Sequence, residues 1–489
     1  MSGPATVNED FPTAARELLK DTQLRANIRH ATGIITRKRN AVVAELSDWE
    51  QLRESGSQIR SHALQHLDHY LLQFEQACTK AGGHVHWARD AAEANCLVIA
   101  LVQAHGARDV MKIKSMTTEE ICLNQALEDQ GIRAHETDLA ELIIQLGHDK
   151  PSHIVVPALH KNRAQIRELF AREMHLEDLG DQPEDLAAAA RHYLREKFLR
   201  IPVTVSGANF LIAETGSVCI VESEGNGRMC LTLPDVLITI AGIEKVIPHF
   251  RDLEVFLQTL PRSATGERMN PYNSTWTGVH PGDGPREFHV VLLDSGRSAI
   301  LHDDEARQTL KCIRCGACQN VCPVYHQTGG HAYNSVYAGP IGAILTPQLH
   351  QLNEGASLPY ASSLCGACYE VCPVKIDIPE VLIHLRAQVV RHEHATLAGG
   401  LSLWSLGMKA AAALFASGNR LALAQHLGRI GQKPFIATSG FIEHLPFQLS
   451  GWTESRDLAP LPRESFREWW AKRPGPAVTE IISNRDGGK

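Results

Sequence analysis

Several things are missing from this sequence of 489 residues, and each absence removes a class of function. No run reaches the roughly 18 apolar residues needed to cross a membrane. The nearest, Leu401 to Ser417, is interrupted by Ser402, Ser405, Gly407 and Lys409 and reads as a packed or interfacial helix. There is no surplus of positive charge: 48 Lys and Arg against 55 Asp and Glu leave a net charge of −7, which argues against a general nucleic-acid binder. Met1 to Lys20 lacks an apolar stretch behind basic residues, so no secretory signal is visible and a cytoplasmic protein is expected. No Gly-x-Gly-x-x-Gly fingerprint follows a strand and no flavin motif is evident, so the chain supplies no obvious hydride acceptor.

What is present is cysteine, in an ordered pattern. Of 12 cysteines, five (Cys78, Cys96, Cys122, Cys219 and Cys230) stand singly and read as small buried hydrophobes. The other seven form two runs, Cys312-x-x-Cys315-x-x-Cys318-x-x-x-Cys322-Pro323 and Cys365-x-x-Cys368-x-x-x-Cys372-Pro373. The first is the full bacterial-ferredoxin run, and the second is the same run without its first member. Zinc prefers two separated ligand pairs, and disulfides need an oxidising compartment. Iron–sulfur clusters fit the spacing. Because the cysteine before proline conventionally serves the other cluster, Cys312, Cys315, Cys318 and Cys372 form one ligand set. Cys322, Cys365 and Cys368 form a second, incomplete one.

The rest of the chain divides by pattern. Residues 1–75 read as helical, with Leu64, Leu67, Leu71 and Leu72 at helical spacing and Arg37-Lys38-Arg39 as a solvated basic face. Residues 76–300 alternate short strands and helices. The strands are expected at 84–88, 109–114, 132–136, 154–157, 210–213, 217–222 and 288–293. The helices are expected at 94–105, 117–130 (opened by Thr117 with Glu120), 139–146 and 161–173. This alternation implies a mainly parallel sheet covered by helices on both faces. Polar residues fall where such sheets place ligands: Lys112, Lys114 and Ser115; Glu136, Thr137 and Asp138; Glu214, Thr215 and Gly216. Glu224-Gly225-Asn226-Gly227-Arg228 reads as a tight hairpin turn. Residues 301–395 carry the cysteines. Within them a helix is expected at 303–311, loops at 329–338 and 339–342, a helical turn at 347–352, and a helix after Asp377 and Pro379 that buries Val381, Leu382, Leu385 and Val389. Residues 396–489 form a helical or irregular end in which Phe466, Trp469 and Trp470 suggest an interaction surface or a small capping domain.

These segments carry a family resemblance. Lys114-Ser115-Met116-Thr117-Thr118-Glu119-Glu120, Glu136-Thr137-Asp138-Leu139, the stretch Ser206 to Gly216, Glu224 to Arg228 and Gly242 to Pro248 precede the paired cysteine runs. In that order they resemble lactate utilization protein B, the iron–sulfur subunit of a bacterial L-lactate-oxidising complex. The resemblance implies an α/β domain shared by lactate utilization proteins B and C, with a fold like that of sugar-phosphate isomerases and CoA transferases. It also implies an α-helical ferredoxin domain like that of succinate dehydrogenase iron–sulfur subunits. It implies two [4Fe–4S] clusters on the seven cysteines, two partner proteins, and a relay of electrons from lactate to a further acceptor by a subunit of a dehydrogenase complex. Contact with the inner membrane face would come through a partner. Ser362 stands where the eighth cysteine would fall. An oxygen from Ser362, a water or substrate, a [3Fe–4S] cluster, or His326 or His331 would each account for the gap. Three rival readings remain. In one, the α/β domain itself holds substrate through Lys112, Lys114 and Arg228, with Glu136 or Glu214 as base. In the others, the chain relays electrons from another 2-hydroxy acid such as glycolate, or is a non-catalytic scaffold.

Overall fold

The computed structural model describes residues 10–352, 354–395, 402–454 and 456–473. The described part falls into two compact units that meet in sequence at Val389 and Val390. Four helices open the first unit: Phe11–Leu18, Thr22–Ala44, Trp49–Gln65 and Leu67–Lys80. Asp10 and Asp21 cap the first two by accepting the amides of Thr13 and Leu24. The basic triplet is not uniformly solvated. Arg37 and Lys38 are exposed, but Arg39 is buried and donates to the Val371 carbonyl at 3.1 Å.

Ten strands follow: β1 His84–Ala88, β2 Asp109–Lys112, β3 Arg133–Glu136, β4 Val203–Ser206, β5 Phe210–Ile212, β6 Ser217–Glu222, β7 Val236–Gly242, β8 Val246–Ile247, β9 Tyr272–Trp276 and β10 Glu287–Leu293. Six make a sheet in the order β1-β10-β7-β4-β2-β3, and every pair in it is parallel. Side chains alternate between its faces with period two. Val236, Ile238 and Ile240 of β7 pack with Ala94, Val98 and Val102 of helix Ala91–Ala104. Leu237 and Ala241 of the same strand face helices Leu67–Lys80, Leu139–Leu146, Arg163–Glu173 and Pro183–Arg200 on the other side. Burial on both faces explains why β7 is apolar throughout except for Thr239, whose hydroxyl pairs with that of Ser206 at 2.8 Å. The remaining strands form a second sheet, β8-β5-β6-β9, in which β5–β6 and β6–β9 are antiparallel.

Several expectations need correction. Ile154–Pro157 is irregular rather than a strand, and its carbonyls and amides bond to Lys114 and His153 instead of a ladder. The stretch 117–130 is two helices, Met116–Glu120 and Leu123–Glu128, separated by Cys122 at φ 51°. Ser115, not Thr117, caps the first through the Thr118 amide. The turn at 224–228 is no hairpin: Gly225, at φ 86°, opens helix Asn226–Thr232. Gly339–Leu349 is a helix despite Pro347, rather than a loop followed by a turn.

The cysteine runs sit on two short helices, Ala317–Asn320 and Ala367–Val371, preceded by a 3-10 turn at Ala306–Lys311. Helix Ile378–His394 then closes the unit and buries Val381, Leu382, Leu385 and Val389, as the stripe predicts. One apolar core joins the cysteines to Leu24 and Ile28 of the opening helices and to Phe210, Ile212 and Phe256 of the α/β part. The second unit holds helices Leu403–Phe415, Gly418–Gly431 and Phe466–Ala471. Phe466, Trp469 and Trp470 are exposed there, with the Arg473 guanidinium over both indoles. The polar tail past Arg473, the first nine residues and Leu401 lie outside the described residues. Among the described residues no helix is long and apolar enough to cross a membrane.

Candidate metal centre

The two cysteine runs adopt one backbone course repeated at an interval of 50 residues. Arg314 and Leu364 take φ 60° and 55°, and Gly316 and Gly366 take φ 71° and 84°. A left-handed residue on each side of Cys315, and of Cys365, coils the chain tightly enough to turn consecutive cysteines inward. Each run then enters its short helix, which carries Cys318 or Cys368. Backbone amides donate to the sulfurs: Arg314 to Cys312 at 3.3 Å, Tyr325 to Cys322 at 3.5 Å and Ile376 to Cys372 at 3.4 Å. At the corresponding place in the second run, Ser362 Oγ accepts the Leu364 amide at 3.1 Å. The hydroxyl therefore repeats the role of the Cys312 sulfur.

All seven thiols are free, and all but Cys365 are buried. Burial, then the neighbouring charges of Cys372 and Cys312, pushes the Cys315 thiol well above its ordinary value. Burial followed by Cys315 and Cys312 does the same for Cys318. Burial with Cys322 and Cys365 raises Cys368 to about 12. These mutual influences tie Cys315 to Cys312 and Cys372, and Cys368 to Cys322 and Cys365, while Cys318 feels both runs through Cys315, Cys312 and Cys368. The buried sulfurs of Cys315, Cys318 and Cys368 stay protonated unless a strong positive charge takes the protons' place, as coordinated iron would. Unbridged thiols, amide donors and left-handed turns together fit an iron–sulfur cluster. The two histidines that might have closed the second set are engaged elsewhere: His326 Nε2 with the Asn320 carbonyl and His331 Nε2 with that of Lys150, both at 2.8 Å.

Residues far from the motifs hold this arrangement, and sequence reading passed over them. Arg53 donates to the carbonyls of Cys372 and Tyr369, at 2.9 and 3.0 Å. With Arg39 it satisfies acceptors at the end of the second short helix. Thr36 does the same for Asn320. Arg60, 1% exposed, donates to the carbonyls of Glu244, Val246, Leu310 and Lys311. Glu244 accepts from Arg297 at 2.6 Å and Arg314 at 3.2 Å. Burial would raise its pKa, but those cations outweigh it and hold the carboxyl at about 2.

The polar residues expected at the sheet's ligand edge divide. Lys112 bridges Glu119 at 2.6 Å and Glu136 at 2.7 Å, and is only 1% exposed, so it and Glu136 are internal ion-pair partners rather than ligands for substrate. Arg228 lies over the Tyr272 ring and bonds Ser274, and Glu214 accepts the Phe250 amide at the surface. Thr215 pairs with Ser217 in the turn between β5 and β6. Lys114, Ser115 and Asp138 do line a cavity of about 230 Å³ at the carboxyl ends of β2, β3 and β4. Lys245 and Arg314 complete its cationic side.

A LUD domain matches residues 71–293 and a 4Fe–4S dicluster domain matches residues 308–376. The chain is thus an iron–sulfur protein built from a LUD domain and a ferredoxin-type dicluster domain. Lactate utilization protein B of Oceanobacillus iheyensis is 44% identical, over 92% of this chain and 93% of the relative. The protein of the same name from Bacillus subtilis is 43% identical over the same shares. An uncharacterized electron transport protein of Escherichia coli is 41% identical over 96% of this chain and 97% of its own length. The chain belongs to the lactate utilization protein B family.

Proposed function

We propose that the chain is the iron–sulfur electron-transfer subunit of a lactate-oxidising system. Its inner cluster rests on Cys312, Cys315, Cys318 and Cys372, and its outer one on Cys322, Cys365 and Cys368. The observation that carries this reading is the repeated course of the two runs, which carry seven free thiols, six of them buried. An iron–sulfur cube takes one electron at a time, so two neighbouring cubes can pass on the pair released when a 2-hydroxy acid becomes a 2-oxo acid. The protein's own contribution is to seal the inner set, donate amides to its sulfurs and place Ser362 at the open corner of the outer set. A missing thiolate removes negative charge and raises the outer potential, which makes that cluster the acceptor of the pair.

Residues 76–300 form the LUD-type domain, akin to sugar-phosphate isomerases and CoA transferases, and 301–395 an α-helical ferredoxin domain. An N-terminal helical region, 1–75, and a helical or irregular C-terminal segment, 396–489, flank them. Two partner proteins deliver and remove the electrons, one of them holding the complex at the inner face of the membrane. The test is anaerobic purification with iron and sulfide analysis and EPR, before and after L-lactate and the candidate partners are added. Two clusters whose signals change only with lactate and partners present are expected. Zinc in place of iron, or clusters indifferent to reduction, would overturn the reading.

A further inference from the structure

The cavity at the sheet's carboxyl edge is lined by three acids and three cations whose hydrogen bonds are unevenly satisfied. Its acids are satisfied by backbone amides. Asp138 accepts from Ala140 and Glu141, Glu222 from Gly225 and Arg228, and Glu224 from Leu139. Its cations are less well matched. Lys114 reaches a carbonyl, that of Val155, at 2.7 Å, and stands 4.0 Å from the Glu141 carboxylate. Arg314 meets Glu244, yet its Nη1 is buried with no partner. Lys245 is 7% exposed and makes no hydrogen bond or ion pair among the described residues. The neighbouring Glu244 opposes its charge, but its ammonium donors have no acceptor there, and the oxygens of a bound anion would supply one.

The size of the space narrows the anion. About 230 Å³ lies below the roughly 300–1,000 Å³ of pockets that take drug-sized ligands. It suits a three-carbon acid and has no room for a dinucleotide. The walls are mixed: Ile113, Ile154, Val155 and Leu260 are apolar, while Asn209 and Asn270 are polar. That combination matches a carboxylate with a methyl group and one further oxygen. The cavity also touches the metal centre, because Arg314 lines it and gives its own amide to the Cys312 sulfur.

We propose that Lys114, Lys245 and Arg314 bind a small 2-hydroxy or 2-oxo carboxylate in this cavity, against the inner cysteine set. The proposal rests on the lactate reading above and adds a site to it. Anions are attracted there by donors that no protein acceptor satisfies, and Arg314 transmits occupancy to the sulfur its backbone holds.

The experiment uses the full chain, purified anaerobically, titrated calorimetrically with L-lactate, pyruvate, acetate and inorganic phosphate up to ~10 mM, a range that captures millimolar affinities. EPR of the reduced chain is recorded with and without each. Lactate or pyruvate is expected to bind more tightly than acetate and to shift the inner signal. Lys245→Met should weaken binding by about 10- to 100-fold, the worth of a charge-assisted hydrogen bond, and Lys245→Arg should restore part of it. If the methionine variant fails to fold, Lys114→Gln is read in the same way. Absence of carboxylate binding, binding of phosphate alone, or affinity unchanged in the variants would overturn the proposal. Lactate-driven reduction with partners present, but no binding to this chain, would sink the site and spare the relay. Carboxylate binding to a chain that takes up no iron would do the reverse.

Discussion

Replacing Arg60 with methionine keeps most of the side chain's volume and removes its five donors. The guanidinium is 1% exposed and donates to Val246 at 3.0 Å, Leu310 at 2.9 Å and Lys311 at 3.3 Å, as well as to Glu244. Two of these carbonyls belong to the α/β part beside β8, and two to the turn that leads into Cys312. Each carbonyl left without a partner costs about 1–3 kcal/mol, but a methionine leaves room for some to relax or meet water. The experience with broken buried ion pairs sets the expected total at about 3–5 kcal/mol. For a cooperative unit of ~400 residues, the unfolding entropy is ~0.8 kcal/mol/K, so the midpoint should fall by about 4–6 °C. Scanning calorimetry on the metal-free and iron-loaded chains reads this directly. A midpoint within about 1 °C of the parent in both forms would refute the view that this side chain fastens the two parts together.

Glu141 is buried 4.0 Å from Lys114, and burial, only partly opposed by that lysine, lifts its carboxyl to about 8 from an ordinary 4.5. Its contribution to stability is therefore complete below pH 4.5 and is lost as pH rises through about 8. Glu141→Gln should match the parent near the acid end and exceed it in melting temperature above pH 8; parallel curves at all pH values would count against this. Ser362→Cys should add a fourth thiolate to the outer set and lower its reduction potential by at least ~59 mV, a tenfold change for one electron. An EPR redox titration that finds both potentials unmoved would show that Ser362 does not face the cluster.

The cysteine runs were legible because ligand spacing is written locally: each motif spans few residues and its left-handed turns are set by neighbours. The parallel sheet was legible in outline for the same reason, since β1, β2, β3 and β10 are short runs between turn residues. The two central strands β4 and β7 escaped. Val203–Ser206 follows a long helix with only Ile201 and Pro202 between, and Val236–Gly242 is buried on both faces, so neither shows an alternation to read. The cavity was half legible. Lys114 and Asp138 stand at strand ends as expected, whereas Lys245 and Arg314 arrive from a 3-10 turn after β7 and from inside a metal motif. Lys112 and Glu136 were misread because both sit at the same strand ends. Only the register of β2 against β3, which places them side by side, reveals that they neutralise each other.

The uneven sealing of the two cysteine sets bears on how the protein ages. Cys312, Cys315, Cys318 and Cys372 are each no more than 9% exposed, whereas Cys365 stands in the open with Leu364 and Tyr369 beside it. Dioxygen and chelators reach the outer corner first. Air should therefore produce a half-stripped species, still brown with iron yet broken as a conductor, before it produces an empty one.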